Sequence, residues 1–430
     1  MAISRRALLK KSLQAGALAS SASALPPLAA QETREAPALP SAFEQLKPIR
    51  ERIRPITPEE FQLRIEHARR LMTEAKPAFS ALYLTPGTSL YYFSGIRWGV
   101  TERLLALIIP RQGLPMLVCP AFEEGRLREL LRWPIEVRAW QEDESPSALA
   151  AGWLAERGVR GGCVGIEETT RFTFYNALRD AAPTLELVSG DSITIGCRAR
   201  KSAHELELMQ LACEATCRVY RAVFASLQEG ITARGIRTLI QRGFERLGLT
   251  GDALVLLGKF AALPHGTSQP QKLVAGDVVL IDGGTAVEGY ASDVTRCTVL
   301  GKPAEKLLRA FETLRKAQDA ALDAARRDRL SGSVDDAARA AISSAGYPGG
   351  YAVFAHRLGH GIGLDGHEHP YLVRGSNTVL EPGMTFSNEP GIYVRGDYGL
   401  RLEDDMVVAE DGPARLLTPG FSPSLEKPVG

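Results

Sequence analysis

Between Thr57 and Met72 the apolar positions Phe61, Ile65, Ala68 and Met72 recur three and four residues apart, which predicts a helix with one buried stripe. Thr57 supplies an N-cap, Pro58 the first helical position, and Glu60 completes a capping box. The pattern then changes to strand-like runs at Ser80–Leu84, Leu90–Phe93, Leu104–Pro110 and Met116–Cys119. Helical stretches follow at about Ala121–Leu131, at Pro146–Glu156 with Ser145 as N-cap, and at Phe172–Ala181. The short strand Cys163–Ile166 falls between them, and this alternation predicts an α/β domain reaching to about Ser189.

A second region opens with another capping box, Ser202 with Glu205. It starts a long helix carrying Leu206, Met209, Cys213, Tyr220 and Phe224 on one face. A second helix is predicted from about Thr232 to Leu247, followed by strands bearing Asp282 and Asp293. A long helix at about Ala304–Arg329, a short one opened by Ser333, and strands leading to Glu389 and Glu403 repeat the order. Helix, helix, strands, twice over, suggests two similar halves with a site between them.

Composition narrows the class. At 430 residues the chain is long enough for two domains, and 45% hydrophobic with 23% charged residues is ordinary for a globular protein. A formal net charge of +1 without a basic block outside the first residues points to neither a nucleic acid nor an acidic partner, and no nucleic-acid partner is expected. The six cysteines form no CxxC or zinc-type pair and read as buried free thiols. At the N-terminus, Arg5 and Arg6 precede Leu8, Leu9 and a small-residue stretch up to Ala30, the pattern of a twin-arginine signal peptide. Its apolar stretch is too short for a firm membrane span, so a periplasmic or secreted protein is expected. The predicted organisation is a signal at residues 1–30, a flexible segment at 31–41, an α/β domain at 42–190 and a second domain at 191–430.

The chemistry concentrates in the last third. Val278–Ile281 is apolar and ends in Asp282, so a buried strand delivers a carboxylate that a cation or proton must compensate. Asp293 follows eleven residues on, past a turn at Gly289, and adjacent antiparallel strands would bring the two acids to about 5 Å. Gly359, Gly361 and Gly363 argue for a strand or loop at His360 rather than a helix. Glu389 and Glu403 each follow a strand-like run. Alone, Asp282 reads as a turn residue and His360 as a satisfied core histidine. Of seven histidines, however, five (His265, His356, His360, His367, His369) share this part of the chain, which supports a site. Four carboxylates and an imidazole are a hard, oxygen-rich donor set suited to a two-metal hydrolase.

The frames PHG, GDVVLIDGG, GYASDVTR, GHGIGLDGHE, LEPGMTFSNEPGIY and GLRLEDD resemble the creatinase/methionine-aminopeptidase superfamily, and most closely its Xaa-Pro peptidase branch. The resemblance runs from about Ser202 to the end; SLYYFSG in the first region is similar more loosely to that branch's accessory domain. It implies an α/β N-terminal domain and an α+β pita-bread catalytic domain with pseudo-twofold halves. It also implies that Asp282 chelates one metal, that Asp293 and Glu403 bridge two, and that His360 and Glu389 bind the other. Glu389 would be the general base. His265, His356 and His367 would lie on the substrate side, with Arg401 behind the ligands. Two divalent cations are expected, manganese first and then cobalt, zinc or iron. The expected substrate has proline in second position, and the expected assembly is a homodimer. Gly283 and Asn388 depart from the resemblance, which more often has a small side chain and an aliphatic one there. His369 is expected at the surface or behind the ligands rather than as a ligand itself. The competing readings are a creatinase-like or other small-metabolite C–N hydrolase and a non-catalytic binding module.

Overall fold

The computed structural model describes residues 38–419 and 423–430, so the expected signal peptide and most of the 31–41 segment lie outside the described residues. Helix α1 (Pro58–Glu74) begins as its residues require. Thr57 Oγ1 accepts from Glu60 N–H at 3.3 Å, Glu60 Oε2 accepts from Thr57 N–H at 2.8 Å, and Phe61, Ile65, Ala68 and Met72 are buried. Strand β1 (Phe79–Leu84) follows, then α2 (Thr88–Ser94), β2 (Ala106–Pro110), β3 (Met116–Pro120) and α3 (Glu124–Glu129). Next come β4 (Glu136–Trp140), α4 (Pro146–Glu156), β5 (Gly162–Ile166), α5 (Phe172–Ala181), β6 (Leu185–Ser189) and α6 (Asp191–Ala199). Their strands make one six-stranded sheet in the order β4-β3-β2-β1-β5-β6.

Two expectations fail here for local reasons. Leu90–Phe93 is not a strand but the centre of α2. Gly95, at φ 77°, caps the helix in the left-handed conformation, and Ser94 Oγ donates back to Leu90 O. A short buried apolar run carries no periodicity that separates strand from helix. The helix expected at Ala121–Leu131 is shorter, because a 3-10 turn occupies Ala121–Glu123.

The second region repeats two helices and a set of strands. First come α7 (Ala203–Phe224), α8 (Ala233–Leu247), β7 (Gly251–Leu257), β8 (Val278–Val287), β9 (Tyr290–Ala291) and β10 (Val294–Val299). Then come α9 (Glu305–Ala324), α10 (Ser331–Ser344), β11 (Gly359–Gly361), β12 (Glu368–Leu372) and β13 (Thr385–Asn388). The chain ends with β14 (Gly391–Val394), β15 (Tyr398–Arg401), β16 (Asp404–Val407) and β17 (Arg415–Leu416). The first sheet runs β10-β8-β7 with β9 on β8; the second runs β12-β11-β13-β16-β17. They meet where Thr295 bridges Glu403. One core underlies both, with Leu256, Leu280, Leu314, Phe386, Leu400 and Met406 among its buried members. Helix α9 stops at Ala324, short of Arg329, and Ser333 does not cap α10. Its hydroxyl donates to Leu330 O at 2.7 Å instead of accepting an amide. All six cysteines are buried and free, as expected.

Candidate metal centre

Strand geometry delivers each acidic side chain. Asp282 lies in β8 between Leu254 of β7 and Thr295 of β10. The residue directly across the ladder is thus Thr295, not Asp293, which stands one position before β10 with its N–H on Asp405 Oδ2 at 3.0 Å. Gly283 explains its own departure from the resemblance. Its φ is +148°, and a Cβ there would lie 2.5 Å from Asp252 O on the neighbouring strand. His360 is central in β11, Glu389 directly follows β13, and Glu403 links β15 to β16.

These five side chains converge. Donor atoms of Asp282, Asp293 and Glu403 lie within 4.8 Å of one another, as do those of His360, Glu389 and Glu403. Glu403 belongs to both groups. Asp293 joins a third group of the same span with His360 and His367. His360 Nε2 is 3.3 Å from Glu389 Oε1 and 3.8 Å from Asp293 Oδ2. Its Nδ1 faces Gly361 O at 3.1 Å, and a carbonyl can only accept, so Nδ1 carries the proton and Nε2 offers its lone pair to the cluster.

Burial drives the electrostatics. It pushes Asp293 and Glu403 well above the usual carboxylate range, and the neighbouring carboxylates add to the effect. Burial, with the nearby Asp282 carboxylate adding to it, raises Glu389 to about 8 against the pull of Arg401. At Asp282 the same burial is overcome by the guanidinium of Arg401 and the hydroxyl of Thr295, so this carboxyl is lowered. His360 is pushed down to about 4, by burial first and His367 second. Four carboxylates, that of Glu403 buried and the other three partly so, thus face the bonded guanidinium of Arg401. That surplus of negative charge requires protons or cations, and hard oxygens with one imidazole suit divalent cations. The residues fit the metals their types imply.

Around this set, Arg401 lies behind the ligands as expected. It is paired with Asp282, donates through Nε to Thr295 Oγ1 at 3.1 Å and through Nη1 to Tyr393 OH at 2.8 Å. His367 is exposed, with its ring stacked on His360 at 3.6 Å between centroids. His356 sits 3.7 Å from Glu389 Oε2, yet both its nitrogens are engaged: Nδ1 with Arg357 O at 2.8 Å and Nε2 with Tyr393 OH at 2.7 Å. It is therefore braced by its neighbours, and burial followed by Arg401 pushes it to about 3. His265 is exposed and its charge reaches His356 and His367, but among the described residues no hydrogen bond ties it to the cluster. His369 is exposed, as expected. Asn388 does not point its amide into the pocket; it donates to Gln318 O in α9 at 3.0 Å.

Several participants escaped the sequence reading. Thr295 Oγ1 lies 2.8 Å from Asp282 Oδ1 and 2.5 Å from Glu403 Oε2. One hydroxyl proton serves only one of them, so the raised Glu403 carboxyl supplies the other. Ser387 Oγ donates to Glu389 Oε1 at 3.2 Å and accepts from His360 N–H at 3.1 Å. Asp405, raised to about 7 by burial, accepts from Asp293 N–H and from the Cys213 thiol at 3.2 Å. Thr295, Asp405 and Tyr393 stood inside the quoted frames SDVTR, RLEDD and NEPGIY. Being next to a ligand was the available signal.

A duplicated helix–helix–sheet unit with carboxylates and a histidine converging between its halves defines a metallopeptidase of the pita-bread class. The chain belongs to metallopeptidase family M24, which matches residues 207–410, with the creatinase/prolidase N-terminal domain matching residues 64–200. It is 34% identical over 340 residues to the Xaa-Pro dipeptidase of Lactobacillus delbrueckii subsp. lactis, covering 77% of this chain and 90% of that one. It is also 34% identical over 355 residues to the probable dipeptidase PepE of Mycobacterium tuberculosis, covering 80% and 93%. The crystal structure of dipeptidase PepE from Mycobacterium ulcerans superposes with a TM-score of 0.77 at 33% identity, covering 86% of this chain and 98% of that one.

Proposed function

We propose that this protein is a metal-dependent exopeptidase that hydrolyses the amide bond before proline, in Xaa-Pro dipeptides or at the N-terminus of longer peptides. The observation that carries the reading is the convergence of Asp282, Asp293, His360, Glu389 and Glu403, with Arg401 paired to Asp282 beside them. The similarity to a relative named Xaa-Pro dipeptidase supports the bond assigned. These five residues would hold two divalent cations, manganese first given the oxygen-rich set, which when bound supply a water of lowered pKa and polarise the scissile carbonyl.

The side chains do the rest. Glu389, held by Ser387 and ionised once the cations are bound, takes the proton of the attacking water. It then delivers that proton to the proline nitrogen as the C–N bond breaks. Proline is a tertiary amide with no N–H, so its nitrogen leaves only once protonated. His367 and His265, on the exposed side, orient the substrate and hydrogen-bond the oxygen that becomes negative. His356, locked by Tyr393 and Arg401, keeps Glu389 in place. A metal-free creatinase-type hydrolase would have no use for this many buried acids.

The test is turnover of Ala-Pro, Ala-Pro-Ala-Ala and Ala-Ala with Mn²⁺ or Co²⁺ and after chelation. Cleavage of the proline substrates only, and only with metal, is expected. No activation by either metal would end the proposal. We further infer export by the twin-arginine route from Arg5 and Arg6 ahead of Leu8 and Leu9. N-terminal sequencing of periplasmic protein should then read a start just after Ala24 or Ala30; a start at Met1 would contradict it.

A further inference from the structure

Helix α6 follows the six-stranded sheet and leads into the catalytic elements, and its Arg198 bonds to α2 on one side and to Asp365 and Glu368 on the other. Arg198 Nη2 donates to Asp365 Oδ2 at 2.5 Å and to Glu368 Oε2 at 2.6 Å, while Nη1 reaches Ser89 Oγ of α2 at 3.3 Å. Thr88, also in α2, donates its hydroxyl to the other oxygen of Asp365 at 2.5 Å. The other oxygen of Glu368 takes Lys201 Nζ at 2.6 Å. The Arg198 side chain is only 13% exposed, and that of Glu368 6%, so these charges are poorly screened.

What the two acids hold is the point. Asp365 and Glu368 bracket His367 in the chain, and His367 stacks on the ligand His360 at 3.6 Å. A cavity of about 320 Å³ borders the same stretch, lined by Thr88, Glu167, Arg198, Asp365 and His367 among others. Packing is therefore absent on that side of the loop, and the ion pairs fix it instead. Close approach leaves little slack: a Cβ on Gly363 would lie 2.7 Å from both Glu368 Oε1 and Lys201 Cε.

We propose that Arg198 is a positioning residue for turnover. By gripping Asp365 and Glu368 it sets His367 against His360, so the N-terminal domain governs the geometry of the catalytic one. This rests on the reading of His367 as a substrate-side group. Neither Arg198 nor its two partners touches the substrate; they act through the loop.

The test uses the full chain loaded with Mn²⁺ and the variants Arg198→Gln, Arg198→Lys, His367→Ala and the double variant Arg198→Gln/His367→Ala. Arg198→Gln should lower kcat on Ala-Pro by about 10- to 100-fold with KM within about threefold, and Arg198→Lys should recover part of the loss. In the His367→Ala background, Arg198→Gln should cost nothing further, because the two act as one unit. Amide hydrogen exchange across residues 363–372 should accelerate in Arg198→Gln while exchange in β1 and β5 stays unchanged. Should Arg198→Gln fold poorly, Asp365→Asn breaks the same grip at a side chain 39% exposed, with the same expected pattern. A kcat within twofold of wild type, a fully additive double variant, or unaltered exchange in the loop would overturn the proposal. If wild type cleaves no Xaa-Pro peptide, the functional reading fails, and the exchange measurement still decides whether Arg198 holds the loop.

Discussion

Metal loading at neutral pH should expel protons from the centre. The perturbation is addition of Mn²⁺ to metal-free protein at pH 7. With its carboxyl at about 8, Glu389 is about nine-tenths protonated at that pH. Asp293 and Glu403 are both held well above the ordinary range, whereas Asp282 is lowered by Arg401 and Thr295. Ligands bind cations deprotonated, so loading should release at least about one proton, that of Glu389. Each proton released makes metal affinity rise about tenfold per pH unit. At pH 9 Glu389 is mostly ionised beforehand, and the release should fall by nearly one. The sign for stability follows from the same shift. The folded carboxyl of Glu389 lies above its unfolded value of 4.5, so metal-free protein should lose stability as pH rises from about 4.5 through about 8, by a few kcal/mol at order of magnitude. The assay is titration calorimetry with Mn²⁺ in two buffers of different ionisation enthalpy, at pH 7 and pH 9. No buffer dependence at pH 7, or a larger release at pH 9, would refute the electrostatic reasoning.

Replacing Gly283 with alanine should destabilise the protein by about 1–3 kcal/mol, through backbone strain at φ +148° and the contact with Asp252 O. An unchanged urea midpoint would contradict this. Arg401→Met should cost metal-free protein about 3–5 kcal/mol by leaving the Asp282 carboxylate without its guanidinium, and the loss should shrink when Mn²⁺ is present. Equal losses with and without metal would show that Arg401 does not balance the cluster. Thr57→Ala should remove the α1 cap at about 1 kcal/mol, read as a lower thermal midpoint with kcat unaffected.

Local rules made some of this legible in advance. Both capping boxes, at Thr57 and Ser202, are formed as their residue types require, because the interactions involved span three residues. The glycines around His360 correctly signalled a strand or loop rather than a helix. Leu90–Phe93 misled because a seven-residue buried helix offers no polar face to betray its period. Ser333 misled because a hydroxyl that accepts an amide and one that donates to a carbonyl look alike in a sequence. At the site, the ligand types were readable, but their arrangement depends on strand register. Nothing local says that Thr295 rather than Asp293 faces Asp282, or that Tyr393 occupies His356. The grip of Arg198 on Glu368 spans 170 residues of chain and was invisible for that reason.

The assignment of Glu389 is the claim on which the rest depends. The most direct measurement compares wild type with Glu389→Gln, each with its bound manganese quantified, in the hydrolysis of Ala-Pro. The expected result is a fall in kcat of at least about 100-fold, the scale of a lost general base, beyond any loss explained by reduced metal content. Equal turnover per bound metal by the two proteins would contradict it.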